Sequence, residues 1–194
     1  MRFIISTVLI AVISTPINTA YSKEDSEYVS LQAQSCKVPD DLVIRHYLSR
    51  NLVVSECPTR AIVQSEPLKL FIVSTDERSW IDLAIGNTIW SSEDEVVYEK
   101  ENQFGYFPNV GNAPAEIRMS DTGVVAGLIF RVTAQAPDAR SANLGTSNVS
   151  RLFVIGLKKS GACFLGFASN NTMARKLLDS GAVCKRMLKT EQLQ

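Results

Sequence analysis

The stretch RLFVIGLKKSGACFLGFA, residues 151–168, decides the fold. Two apolar runs, 151–157 and 162–168, flank Lys158, Lys159, Ser160 and Gly161, a polar connection of hairpin length ending in glycine. Each run is long enough for a strand, and so short a link predicts antiparallel pairing. Downstream, Asn170, Asn171 and Thr172 supply N-cap side chains, and Met173, Leu177 and Leu178 form an apolar stripe. Gly181 is placed to stop that helix before Cys184. From this strand, turn, strand and helix unit the chain is expected to be α+β: a mostly antiparallel sheet of four or five strands with two or three helices, in a single disulfide-stapled domain.

Residues 124–134 read as a strand of eleven residues buried on at least one face, preceded by a long loop over 101–123 that holds three Gly, two Pro and the rings Phe104, Tyr106 and Phe107. Residues 40–50 read as a helix, with Pro39, Asp40 and Asp41 offering helix-starting chemistry, and 52–54 as the start of a strand closed by Cys57 and Pro58. Residues 68–73 read as a central strand. Ser74, Thr75 and Asp76 are N-cap types, so a short helix through Trp80, Leu83 and Ala84 to Gly86 is expected, although the alternation Trp80, Asp82, Ala84 also permits a strand. Residues 88–90 look extended. Ser92 and Glu95 match a capping box while Val96, Val97 and Tyr98 prefer strand, so the local signals conflict there. Residues 135–150 read as a loose excursion, and 185–194 are expected to fray.

The two ends and the cysteines bear on compartment. Arg2 followed by an uncharged, mostly apolar run over 3–14, then Pro16 and the triplet Ala20, Tyr21, Ser22, is the pattern of a secretory signal peptide over 1–22. A retained anchor is the alternative reading of the same run. Residues 23–35 are expected to be a flexible leader and 36–190 a globular domain. Cys36, Cys57, Cys163 and Cys184 are an even set behind an export signal, so bridges are expected rather than reactive thiols. Local pairing of Cys36 with Cys57 and Cys163 with Cys184 is favoured, each closing a loop of about twenty residues worth roughly 3 kcal/mol. Joining Cys36 to a C-terminal cysteine is the competing connectivity. The expected location is periplasmic or secreted.

Charge and motif content narrow the function classes. Without residues 1–22 the chain carries 19 basic and 20 acidic side chains, which argues against nucleic acid as a partner. Residues 23–100 hold 8 Lys or Arg against 14 Asp or Glu, and residues 101–194 hold 11 against 6, so the simplest expectation is that the halves attract each other. His46 is the only histidine, and it is expected to face solvent or cap a helix rather than act as a base. No phosphate-binding glycine motif and no metal-ligand spacing occurs, so no cofactor and no metal is expected. Carboxylates that meet only in the fold remain open. The basic residues Arg175, Lys176, Lys185, Arg186 and Lys189 cluster near the C-terminus, where favouring the helix dipole is the default and contact with anionic lipid the alternative.

Cys163, Phe164, Leu165, Gly166 and Phe167, followed by Asn171, Ala174, Arg175, Leu177, Leu178, Asp179 and Cys184, form a tail that resembles a group of small uncharacterised exported bacterial proteins. In that group a strand bearing the first cysteine leads to an N-x-x-A-R-x-L-x-D helix and a closing cysteine. The resemblance spans about the last thirty residues, implies no activity, and supports a bridge from Cys163 to Cys184.

These observations lead to the expectation of an exported, non-enzymatic binding or accessory protein of the cell envelope or surroundings. Phe104, Tyr106 and Phe107 are the ligand- or partner-binding candidates, the partner being another protein or a small ligand. Packing of the same rings into the core is the competing reading. A secreted hydrolase without a recognisable motif, or a component of an envelope secretion or pilus assembly, are the alternatives.

Overall fold

A computed structural model describes residues 26–120, 122–137 and 147–193. The expected signal peptide and most of the excursion 135–150 lie outside the described residues. In chain order these form β1 (Ser26–Val29), α1 (Asp41–Leu48), β2 (Val53–Cys57), β3 (Ile62–Val63), β4 (Glu66–Thr75), β5 (Arg78–Ile85) and β6 (Thr88–Ser91). A π-helical turn at Asp94–Tyr98 and a 3-10 turn at Lys100–Asn102 follow. The remainder is β7 (Tyr106–Val110), β8 (Ala115–Met119), β9 (Val125–Gln135), β10 (Asn148–Lys158), β11 (Gly161–Ala168), α2 (Asn171–Asp179), β12 (Arg186–Met187) and β13 (Lys189–Gln192).

The hairpin at 151–168 is β10 and β11, with Lys158 opposite Gly161 at its turn, and β9 pairs with the other edge of β10. Residues 125–130 of β9, 152–157 of β10 and 162–168 of β11 are apolar without interruption because both faces are largely covered there, whereas beyond Phe130 β9 alternates with half-buried Arg131, Thr133 and Gln135. Leu128, Phe130, Phe153, Ile155, Ala162 and Phe164 pack in the main core, whereas Ile129, Leu152, Val154, Cys163 and Leu165 pack in a second cluster with Ala174 and Leu178 of α2. Asn170 caps α2 through a hydrogen bond accepted from the Met173 amide. The helix comes close to β9 at Gly127, where a Cβ would stand 2.6 Å from Leu178 Cδ2 and 2.1 Å from the Ile155 carbonyl oxygen.

The first sheet runs β1-β8-β9-β10-β11-β12, with β7 also on β9, and the second runs β13-β6-β5-β4-β2, with β3 on β4. All the pairings are antiparallel. The expectation of a mostly antiparallel α+β fold therefore holds, but there are two sheets with more strands than the expected four or five. The shortfall arose where strands are short or polar. Residues 26–29, expected in a flexible leader, pair with β8, and the expected loop 101–123 contains β7 and β8. Residues 185–194, expected to fray, supply β12 to one sheet and β13 to the other. Of these, β1, β12 and β13 are edge strands, which are held by backbone pairing and need no alternation of apolar residues.

In place of the expected helix through Trp80 to Gly86 stands β5, Arg78–Ile85, the strand that the alternation also permitted. Asp76, at φ +45°, turns the chain between β4 and β5, and Val73 to Trp80 and Phe71 to Asp82 pair across the hairpin. Residues on both faces of β5 are buried, so its pattern mimicked a helical stripe. Cys36 is bonded to Cys57 and Cys163 to Cys184, the local pairing. No helix among the described residues is long and apolar enough to cross a membrane.

Candidate functional site

Residues 92–108 build an aromatic cleft at the side of the two sheets. Ser92 does not cap a helix: its hydroxyl donates to the Ile81 carbonyl at 2.6 Å and accepts from the Ile81 amide at 3.3 Å. That pins the chain to β5 and lets Asp94–Tyr98 wind as a π-helical turn, a form frequent at functional sites. Glu95 points inward from this turn and is buried. Asn102 Nδ2 donates to its carboxylate at 2.6 Å and Arg186 Nη1 at 3.2 Å, while Arg186 also pairs with Glu99 at 2.5 Å. Burial raises the Glu95 pKa, with Glu99 pushing the same way, against the pull of Arg186 and Asn102. The β12 arginine thus ties the π-helical turn to the first sheet.

The three rings singled out from the sequence meet at one cleft but differ in burial. Phe104 is half-buried against the core, 6.3 Å from the Phe153 ring, with the Arg151 guanidinium 5.0 Å from its centroid. Arg151 also stands 4.5 Å from the Phe167 ring, so one cation bridges two aromatic faces. Tyr106 is 43 % exposed. Phe107 is half-buried and has φ +49°, in the left-handed region that aromatic side chains rarely occupy. The register with β9 shifts between Tyr106 and Asn109, so the strand bulges at this residue. Beyond it, the Val110 amide donates to Ser79 Oγ at 2.8 Å, and Asn109 Nδ2 to the Glu77 carbonyl at 3.3 Å, holding β7 against β5. Phe107 faces the Arg78 guanidinium at 5.8 Å.

Arg78, Val96, Tyr98, Phe104, Tyr106 and Phe107 line an open cleft of about 300 Å³. A second cleft of about 380 Å³ lies along Glu101, Asn102, Phe164, Phe167, Lys185 and Arg186. Phe104 and Tyr106 therefore line the first cleft with Phe107, but Phe104 also serves the core. Such a surface can stack on rings, accept cations over aromatic faces and donate from Arg78.

A separate polar cluster lies beneath α1. Phe71, Asp82 and Ser91 form one row across β4, β5 and β6, and Tyr47 of α1 sits on it, its ring 6.2 Å from Phe71. The Tyr47 hydroxyl donates to Asp82 Oδ2 at 2.7 Å, while Oδ1 is buried without a partner of good geometry. Burial pushes the Asp82 pKa up to about 7, against the hydroxyls of Ser91 and Tyr47, with Glu93 and Glu191 adding to the rise. Tyr47 is driven upward as well, first by burial and then by Asp82. At the border of the cluster His46 Nε2 lies 2.8 Å from Glu191 Oε2, and Arg50 pairs with Glu93 and reaches Glu191 at 3.6 Å.

His46, on α1, is thus half-buried against Glu191 of β13 rather than solvent-facing. Carboxylates from distant parts of the chain do converge here, around an arginine. The sequence reading missed Asp82, Glu95 and their partners, and the one signal for Asp82 was its place in the alternation with Trp80 and Ala84. Among the described residues no three His, Cys, Asp or Glu side chains are grouped as a metal site. The basic C-terminal cluster is largely engaged: Arg175 holds Glu116 at 2.8 Å, Arg186 holds Glu95 and Glu99, and Lys189 holds Glu191 at 2.7 Å. No known protein family matches the chain, and no curated protein or solved structure is significantly similar to it.

Proposed function

We propose that the chain is an exported, non-enzymatic binding or accessory protein that engages a protein partner through the aromatic cleft. The supporting observation is Phe107. A non-glycine residue at positive φ costs about 1–3 kcal/mol, and such strain gathers where a side chain must be held for recognition. Here it falls on a ring that lines an open cleft beside the exposed Tyr98 and Tyr106 and the guanidinium of Arg78. Aromatic rings and arginine are the side chains that dominate partner recognition. Two disulfides and the signal-like residues 1–22 support an oxidising, extracytoplasmic setting in the periplasm or outside the cell.

The reading is tested by capture from envelope extract, comparing the parent with a Tyr98→Ala, Tyr106→Ala, Arg78→Ala variant of unchanged thermal stability. A protein retained by the parent and lost by the variant supports it. Equal retention by both sinks it.

A further inference from the structure

Where the two sheets part at one end, they leave a cleft of about 620 Å³, within the size of small-molecule sites. The second sheet contributes Ile85 and Trp90, and the β3–β4 hairpin Ile62, while the first sheet contributes Val124, Val125 and Leu157. Ile85, Trp90 and Leu157 are continuous with the core, so the walls are apolar to their base. Ile62 and Val124, at the lip, are 59 % and 62 % exposed. A smaller cleft of about 430 Å³ shares Ile62, Gly123 and Val125 and continues past Ala61 and Met119 to the Arg60–Glu27 ion pair.

Two features of the rim indicate the occupant. The charged side chains of the lining are Lys158 and Lys159, and no carboxylate is among its described residues. Neither lysine has an ionic partner among the described residues, in contrast to Lys37, Lys69 and Lys189, each of which pairs with an acid. The cleft is therefore apolar in depth and cationic at one side of its mouth. The opposite lip is the β3–β4 turn, whose central residues Gln64 and Ser65 both have positive φ, at +53° and +71°. That is the pattern of a type I′ turn, normally filled by Asn and Gly, so the lip is strained as the aromatic cleft is. Gly161 completes the shape: a Cβ there would stand 2.9 Å from Trp90 Nε1, so the bare backbone lets the indole lie against the turn that carries the lysines.

We infer that this end cleft binds a soluble amphiphile with a single aliphatic chain and an anionic head, the chain between the sheets and the head at Lys158 and Lys159. The site is separate from the aromatic cleft and stands or falls independently of it.

The test titrates the full chain, both disulfides formed, with submicellar dodecanoate by calorimetry and tryptophan fluorescence. Saturable binding at one site is expected, with an emission change that Trp90→Phe removes. Dodecyltrimethylammonium, with the same tail and the opposite head, is expected to bind at least about tenfold more weakly. Lys158→Gln with Lys159→Gln, at exposed positions, should weaken dodecanoate about fivefold at unchanged melting temperature and narrow the gap between the two amphiphiles. Val124→Asp, also at an exposed position, should remove binding of both. No binding of dodecanoate, equal affinity for the two heads, or unaltered affinity in Val124→Asp would overturn the inference. So would adsorption to phosphatidylglycerol vesicles without capture of the soluble carboxylate, which would mark a membrane-docking edge instead.

Discussion

The Tyr47 hydroxyl of α1 donates to Asp82 Oδ2 of β5 at 2.7 Å, and both residues are almost wholly shielded from water. This bond fastens the helix to the middle of the second sheet. It also sets an ionisable carboxyl in the interior at an energetic cost, since burial favours its protonated form.

Stability should therefore fall as pH rises from about 4 to 7. An aspartate raised from the ordinary 3.8 to about 7 keeps its proton in the folded state after the unfolded chain has lost it. Folding then takes up a proton in that window, and each pKa unit corresponds to about 1.4 kcal/mol. Asp40 and Glu191 are shifted the other way, so their contributions are lost only as pH falls below the ordinary carboxylate range. Asp82→Asn, which retains an acceptor for Tyr47, should flatten the decline between pH 5 and 7. Melting temperatures of parent and variant measured across that range check this, and parallel slopes would exclude Asp82 as the cause.

Phe104, Tyr106 and Phe107 should respond differently to substitution. Phe104→Ala removes a ring packed on Phe153 and Arg151 and should cost about 1–3 kcal/mol. Tyr106→Ala, at an exposed position, should stay within about 0.5 kcal/mol of the parent. Phe107→Gly relieves the positive φ while deleting the ring, so its stability should change by less than that of Phe104→Ala although partner binding is lost. Urea denaturation of the three variants orders them, and a loss for Phe107→Gly larger than for Phe104→Ala would mean that the Phe107 ring is chiefly a core residue.

Arg186→Ala should destabilise the chain by about 1–3 kcal/mol, because it leaves the buried Glu95 carboxylate with Asn102 alone. The arginine is itself 41 % exposed, which holds the effect below that of a fully buried pair. Adding Glu95→Gln should recover much of the loss. A double-mutant cycle by chemical denaturation measures the coupling, and simple additivity would count against a working pair.

Replacing Cys163 and Cys184 together by Ser should cost about 3 kcal/mol, since the bridge closes a loop of sequence separation 21. That loop contains α2 and ends immediately before β12, so amide exchange should rise first in α2 and β12. Exchange that rises first in α1 instead would show that the bridge does not organise this region.

The strands of the hairpin at 151–168 were legible because apolar runs bounded by turn residues admit few other structures, β9 because its apolar residues mark at least one buried face, and both helices because Asp40 and Asn170 offered their caps. The local disulfide pairing was legible as an expectation from spacing and compartment. Beyond this the sequence alone was equivocal. In β5, Trp80, Leu83 and Ala84 suggested a helical face, and only pairing with β4 and β6 made the segment a strand. β1, β12 and β13 carry no apolar alternation, being edge strands held by backbone bonds to distant partners. The charge imbalance between the halves implied attraction, but only the tertiary structure determined that Arg186 meets Glu95 and that Arg50 draws Glu93 and Glu191 together. The same holds for the clefts, because a cavity is defined by residues from separate strands meeting at a sheet end, and local propensity contains no information about that meeting.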